Sequence, residues 1–138
     1  MNKWDNYFIN VAYETAKLSY ATRLKVGAVA VIDRRIICCG FNGTAPGREN
    51  SCEINNLTKD ETLHAEQNLI SFAAREGIKL KSAVVYLTHS PCLKCASMLL
   101  SAGISGVYYA EKYRSQEGVE YLLDSGIDVI ELIYNKEK

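Results

Sequence analysis

Two short segments hold most of the chemically versatile side chains of this 138-residue chain. One is His64-Ala65-Glu66, and the other is Pro91-Cys92-Leu93-Lys94-Cys95. Two cysteines three apart on a first helical turn point to the same side, where the helix dipole and free N–H groups favour the thiolate. Zinc takes thiolates and a neutral imidazole in tetrahedral geometry, so His64, Cys92 and Cys95 form a set of three ligands. No obvious fourth is present: His89 is the only other histidine, and Cys38, Cys39 and Cys52 are scattered. Three protein ligands leave one position for water, as in a catalytic rather than a structural site. Zinc lowers the pKa of such a water to about 7. Glu66 lies two residues past His64, about 200° around a helix axis. It therefore does not share the metal and is expected beside the water, as a proton shuttle. Alone, the Cys-x-x-Cys pair also fits a thioredoxin-like redox site or half of a zinc knuckle. The two motifs together, each at a helix start with a strand between them, point to catalytic zinc.

These motifs need elements that bring two helix starts side by side. Trp4, Phe8, Val11, Thr15 and Leu18 recur at helical spacing and predict a helix over 4–19. The apolar, β-rich run 26–32, the break at Asp33-Arg34-Arg35 and the resumption over 36–41 read as a hairpin. Residues 42–60, rich in Gly, Asn, Ser and Thr, read as a long irregular loop of the kind that is functional or mobile. A second helix is expected over 63–75, closed by Gly77. A strand follows at 83–88, and then a third helix with Pro91 at its first position. The remaining elements are a strand at 106–110, a helix at 116–124 and a strand at 127–133. Strands joined through helices pair in parallel. The expected fold is thus α/β: a three-layer α/β/α domain over 1–138 with a five-stranded mixed sheet, an antiparallel hairpin plus parallel strands.

Composition excludes several other classes. Sixteen Lys plus Arg balance sixteen Asp plus Glu, so the basic excess of a polynucleotide binder is absent. No apolar run approaches the roughly 20 residues of a membrane helix, and the first ten residues do not read as a signal peptide. Five cysteines in such a chain favour metal or redox chemistry over a disulfide framework. A cytoplasmic protein without nucleic-acid or membrane partners is expected.

The joint motif matches the pattern of zinc-dependent nucleobase deaminases, in which the glutamate is not a ligand. Over almost its full length the chain resembles the deoxycytidylate (dCMP) deaminase family. Trp4-x-x-Tyr7-Phe8 and Val26-Gly27-Ala28 are similar to that family's first helix and strand. Gly40-Phe41-Asn42-Gly43 is similar to its G-Y-N-G turn, with Phe41 in place of tyrosine. His64-Ala65-Glu66-x-Asn68, Ser90-Pro91-Cys92-x-x-Cys95-Ala96, Ala102-Gly103-Ile104 and Tyr113-Arg114 continue the resemblance.

The resemblance implies hydrolytic deamination of dCMP to dUMP by an enzyme with one zinc per chain. It implies a nucleotide substrate and a homo-oligomer, with a hexamer favoured. It extends to effector control by dCTP with Mg2+ and by dTTP. Asn42 is the candidate for sugar recognition, with a plain turn asparagine as the alternative. Arg23, and secondarily Lys25, are candidates for the 5′-phosphate, with a solvated surface arginine as the alternative. Ala65, Ser90 and the backbone at Thr88 are expected to line the base pocket. Tyr113 is expected to close over the substrate, and Arg114 is a further phosphate candidate. His89 reads as a structural residue near the site. The loop 43–63 carries only Cys52 and no histidine, so no second zinc is expected. A deaminase of dCTP or of a nucleoside, and a non-catalytic competence-type zinc module, remain as alternatives.

Overall fold

Phe8, Ile9, Ala12, Thr15 and Ala16 recur at the helical period and form the buried face of α1 (Lys3–Ala16). The computed structural model describes residues 1–134, so 135–138 of the expected 1–138 domain lie outside the described residues. Asn2 caps α1 by accepting the Asp5 N–H at 2.8 Å. The helix stops short of the expected residue 19, and the chain leaves it by way of Ser19. Its hydroxyl donates to the Asn42 carbonyl at 2.7 Å and accepts the Ala21 N–H at 3.1 Å.

The apolar run becomes β1 (Gly27–Ile32), which pairs antiparallel with β2 (Arg35–Phe41) as expected. Asp33 and Arg34, both at positive φ, make the tight turn between them. The segment expected to be an irregular loop holds a small hairpin instead, β3 (Glu53–Ile54) and β4 (Leu57–Thr58). Its two-residue turn is Asn55-Asn56, at φ 53° and 64°. Asparagine tolerates the left-handed region, and that was the available signal.

After the hairpin come α2 (Ala65–Glu76), β5 (Val84–His89), α3 (Leu93–Ser101), β6 (Gly106–Glu111), α4 (Glu117–Asp124) and β7 (Asp128–Glu131). Gly77, at φ 69°, closes α2 in the left-handed conformation, as expected. Pro91 does not open α3. Cys92 is the cap residue, and its sulfur accepts the Cys95 N–H at 3.4 Å. The thiol takes the place of the usual Ser or Asp oxygen and leaves proline one position outside the helix.

The main sheet runs β2-β1-β5-β6-β7. It is mixed, with one correction to the expected pairing: β5 joins β1 antiparallel rather than pairing in parallel with β2. Helix α2 lies over β2 and β1, so the chain re-enters the sheet beyond β1. Only β5-β6 and β6-β7 are parallel. Val29 and Val31 of β1 pack with Phe8, Ile9 and Ala12 of α1 on one face. Ala28 and Ala30 pack on the other with Leu69 of α2, Leu99 of α3 and Leu122 of α4. That burial on both faces explains the unbroken apolar run.

Strands β2, β5 and β6 all end at the same edge of the sheet. Two glycines let helices close on that edge. A Cβ on Gly40 would lie 2.6 Å from the Ala65 carbonyl oxygen at the start of α2. A Cβ on Gly118 of α4 would lie 2.2 Å from the Pro91 carbonyl oxygen. Gly118→Ala is therefore expected to destabilise the fold by about 1–3 kcal/mol, measured by urea denaturation. Parent-like stability would contradict this packing.

Candidate metal and nucleotide site

The starts of α2 and α3 meet at the carboxyl edge of β5 and β6. His64 is the residue preceding α2, and its backbone N–H donates to the Gln67 side-chain oxygen at 2.7 Å. Its Nδ1 stands 3.6 Å from the Cys92 sulfur and 3.3 Å from the Cys95 sulfur. A tetrahedral zinc with ordinary Zn–N and Zn–S bonds would set such N···S pairs about 3.5 Å apart. The three ligand atoms lie within 4.8 Å of one another. Among the described residues this is the only such group of three or more His, Cys, Asp or Glu. No cysteine is in a disulfide. The donor set, two sulfurs and an imidazole, fits zinc in kind and in spacing.

Hydrogen bonds from Cys95 and His64 pull the Cys92 thiol down to about 4. Cys95 is pushed up, first by its bond to Cys92 and then by burial. His64 is raised by the same contact with Cys92. Glu66, in the first turn of α2, is only 4% exposed. Burial pushes its carboxyl up to about 7, against the pull of its own backbone N–H and of His64.

A cleft of about 670 Å³ opens over these groups. His64, Ala65, Glu66 and Cys92 form part of its wall, and Arg23, Asn42, Ser90, Tyr113 and Arg114 complete the expected set. Lys25 is a correction. It does not line this cleft but borders a separate depression with Lys17 and Tyr20. The Asn42 amide bonds to the residues on either side of Lys25. Its Oδ1 accepts the Val26 N–H at 2.9 Å, and its Nδ2 donates to the Leu24 carbonyl at 2.8 Å. These bonds hold the backbone of Leu24 and Val26, which line the cleft, while Lys25 between them does not. Asn42 thus organises the rim from inside the chain. Asn68 pins the turn bearing Asn42 to α2, donating to the Phe41 carbonyl at 2.7 Å.

Thr88 is a second correction. It is fully buried behind the cleft, where its hydroxyl accepts the Gly27 N–H at 3.1 Å. Ser90 accepts the Tyr113 N–H at 2.7 Å and so fixes the entry of that residue. The Arg114 guanidinium lies over the Tyr113 ring, 5.5 Å from its centre. His89 lines the cleft, with Nδ1 2.8 Å from the Thr88 hydroxyl and Nε2 3.7 Å from Glu111. Tyr13 of α1 donates its hydroxyl hydrogen to Glu111.

Sequence reasoning missed Cys52, Glu53, Thr58, Thr62, Glu111 and Lys112 as lining residues. Four of these belong to or flank the small hairpin. The other two continue β6 into its loop, where the end of a parallel strand was the available signal.

The family model for the cytidine and deoxycytidylate deaminase zinc-binding region matches residues 2–111. The ComE operon protein 2 of Bacillus subtilis is 35% identical over 131 residues, which cover 91% of this chain and 69% of that protein. The deoxycytidylate deaminase of Saccharomyces cerevisiae is 32% identical over 146 residues, covering 97% of this chain and 46% of that protein. Among solved structures, the dCMP deaminase of cyanophage S-TIM5, crystallised with dCMP and dUMP, superposes with a TM-score of 0.91 at 32% identity. That match covers 96% of this chain and 99% of the other.

The donor set makes a stoichiometric prediction. The purified chain should retain about one zinc per protomer by elemental analysis. Cys95→Ala should bring the content close to zero, whereas Glu66→Gln should leave it unchanged. Loss of zinc from the glutamine variant would make Glu66 a ligand.

Proposed function

Because the chain belongs to the cytidine and deoxycytidylate deaminase family, we propose that it hydrolyses dCMP to dUMP and ammonia. The observation that carries this reading is a buried carboxyl, Glu66, set beside the His64, Cys92 and Cys95 donor set in the wall of a nucleotide-sized cleft. Those three residues would hold zinc, which supplies a Lewis acid able to make water nucleophilic at neutral pH. Glu66 takes one proton from the attacking water and passes it to N3 of the cytosine, then takes the remaining proton of the new C4 hydroxyl and delivers it to the departing amine, which leaves as ammonia. Burial raises the Glu66 carboxyl above the ordinary carboxylate range, which favours a group that must both accept and release protons. Burial also keeps bulk water from competing for those protons.

The remaining wall supports the assignment of substrate contacts. Ala65 and Ser90 border the base, and Tyr113, fixed by its N–H to Ser90, covers it. Asn42 offers its free Oδ1 lone pair to a sugar hydroxyl. Arg23 and Arg114, with Lys112, put three cationic groups around the cleft for a 5′-phosphate. Family resemblance extends the reading to a cytoplasmic homohexamer of one domain per chain, with dCTP plus Mg2+ and dTTP as effectors. Among the described residues no helix is long and apolar enough to cross a membrane. A non-catalytic zinc module has no use for a buried carboxyl at the metal, and Glu66 argues against it.

Glu66→Ala should reduce turnover at least about 100-fold, the lower range for a lost general acid–base, with zinc retained. Appreciable residual activity would remove Glu66 from the proton path. Substrate choice is measured by ultraviolet absorbance across dCMP, dCTP, deoxycytidine and CMP, with and without dCTP or dTTP as effector. Arg23→Ala should raise the KM for dCMP about 10-fold or more, in the range for a lost charge-assisted bond, and affect deoxycytidine far less. Equal effects on both substrates would take Arg23 out of the phosphate site.

A further inference from the structure

An arginine that meets a phosphate is useful only if its long, rotamer-rich side chain is held in place. Arg23 sits on the connection between α1 and β1, in no helix or strand of its own. Two contacts reach it from the β3-β4 hairpin. A single carboxylate oxygen of Glu53 accepts the backbone N–H groups of Thr22, at 3.0 Å, and Arg23, at 3.2 Å. The Arg23 guanidinium donates to the Thr58 hydroxyl at 3.4 Å. Glu53 and Thr58 are direct partners across the hairpin, so both contacts come from one rung. The hairpin is itself anchored. Cys52, 1% exposed, roots it in the interior, and its carbonyl accepts from the Lys59 N–H at 2.8 Å and the Thr62 hydroxyl at 3.1 Å.

We propose that the Glu53–Thr58 rung is a clamp that presents Arg23 to the substrate's 5′-phosphate, making Glu53 a positioning residue for selectivity toward the nucleotide over the nucleoside. This rests on the reading of Arg23 as the phosphate contact. A carboxylate beside an anion site is otherwise unfavourable, because it repels the phosphate it borders. The two backbone N–H groups explain its presence: they need a strong acceptor, and that acceptor fixes the backbone from which the guanidinium extends.

Acceptor and charge separate by substitution. Glu53→Gln keeps an oxygen for both N–H groups and removes the negative charge, whereas Glu53→Ala removes both. The readout is kcat/KM for dCMP divided by that for deoxycytidine, so any general loss of folded, zinc-loaded enzyme cancels. Glu53→Ala should lower this ratio about 10-fold, and Glu53→Gln should keep or raise it. Combining Glu53→Ala with Arg23→Ala should lower the ratio no further than Arg23→Ala alone.

A Glu53→Ala ratio equal to or above that of the parent would overturn the clamp, and so would losses that add in the double variant. If Arg23→Ala itself leaves the ratio at the parental value, the phosphate role of Arg23 fails and the clamp fails with it. A normal Arg23 effect with an inert Glu53 removes the clamp alone.

Discussion

The approach of two helix starts to the same strand edge is the constraint on which the site depends. His64 precedes α2 and Cys92 precedes α3, and both occupy extended backbone immediately before their helices. Their donor atoms meet only because α2 lies against β2 at Gly40 and α4 presses Gly118 onto the carbonyl of Pro91. A methyl group at either contact would separate surfaces that must touch. The same placement sets the electrostatics: helix N-termini favour thiolates and carboxylates, so a soft, anionic donor set is stable where the two helices begin.

Around that centre the walls are positioned mostly by side chains bonded to backbone. Asn42 shapes the rim, Asn68 ties the Asn42 turn to α2, and Ser90 holds Tyr113. Thr88 joins the start of β1 to the end of β5 from beneath. None of these needs to touch a ligand to be indispensable, because each converts a loop into a surface of defined shape. Charge is handled in the same local way. The chain is neutral as a whole, yet Arg23, Lys112 and Arg114 share one cleft with Glu53, Glu66 and Glu111. Zero net charge disfavours long-range attraction to a polynucleotide, and the local cations still suit a small anion.

Much of this was readable in the sequence where the signal is short-ranged. Gly77 announced the end of α2, and the unbroken apolar run announced a strand covered on both faces. His-x-Glu and Cys-x-x-Cys announced three donor atoms that the fold brings together and a buried carboxyl set apart from them. The readings that failed depended on partners far along the chain. Pro91 looked like a first helical residue because nothing local says that a cysteine sulfur will take the cap. Residues 42–60 looked irregular because two-residue strands have almost no periodicity, and only the Asn55-Asn56 pair marked the turn. Lys25 looked like Arg23 in composition, yet it borders a different depression from the one Arg23 lines.

By itself, then, the sequence determined the donor chemistry, the helix starts that carry it and the alternation of strand and helix, because spacing and capping act within a few residues. The tertiary structure alone decided that β5 would lie beside β1, that a hairpin would border the cleft, and which cations would face it. Those outcomes follow from contacts between distant segments, such as Asn42 with Leu24 and Val26 or Glu53 with Thr22 and Arg23, and no local pattern encodes the competition among them.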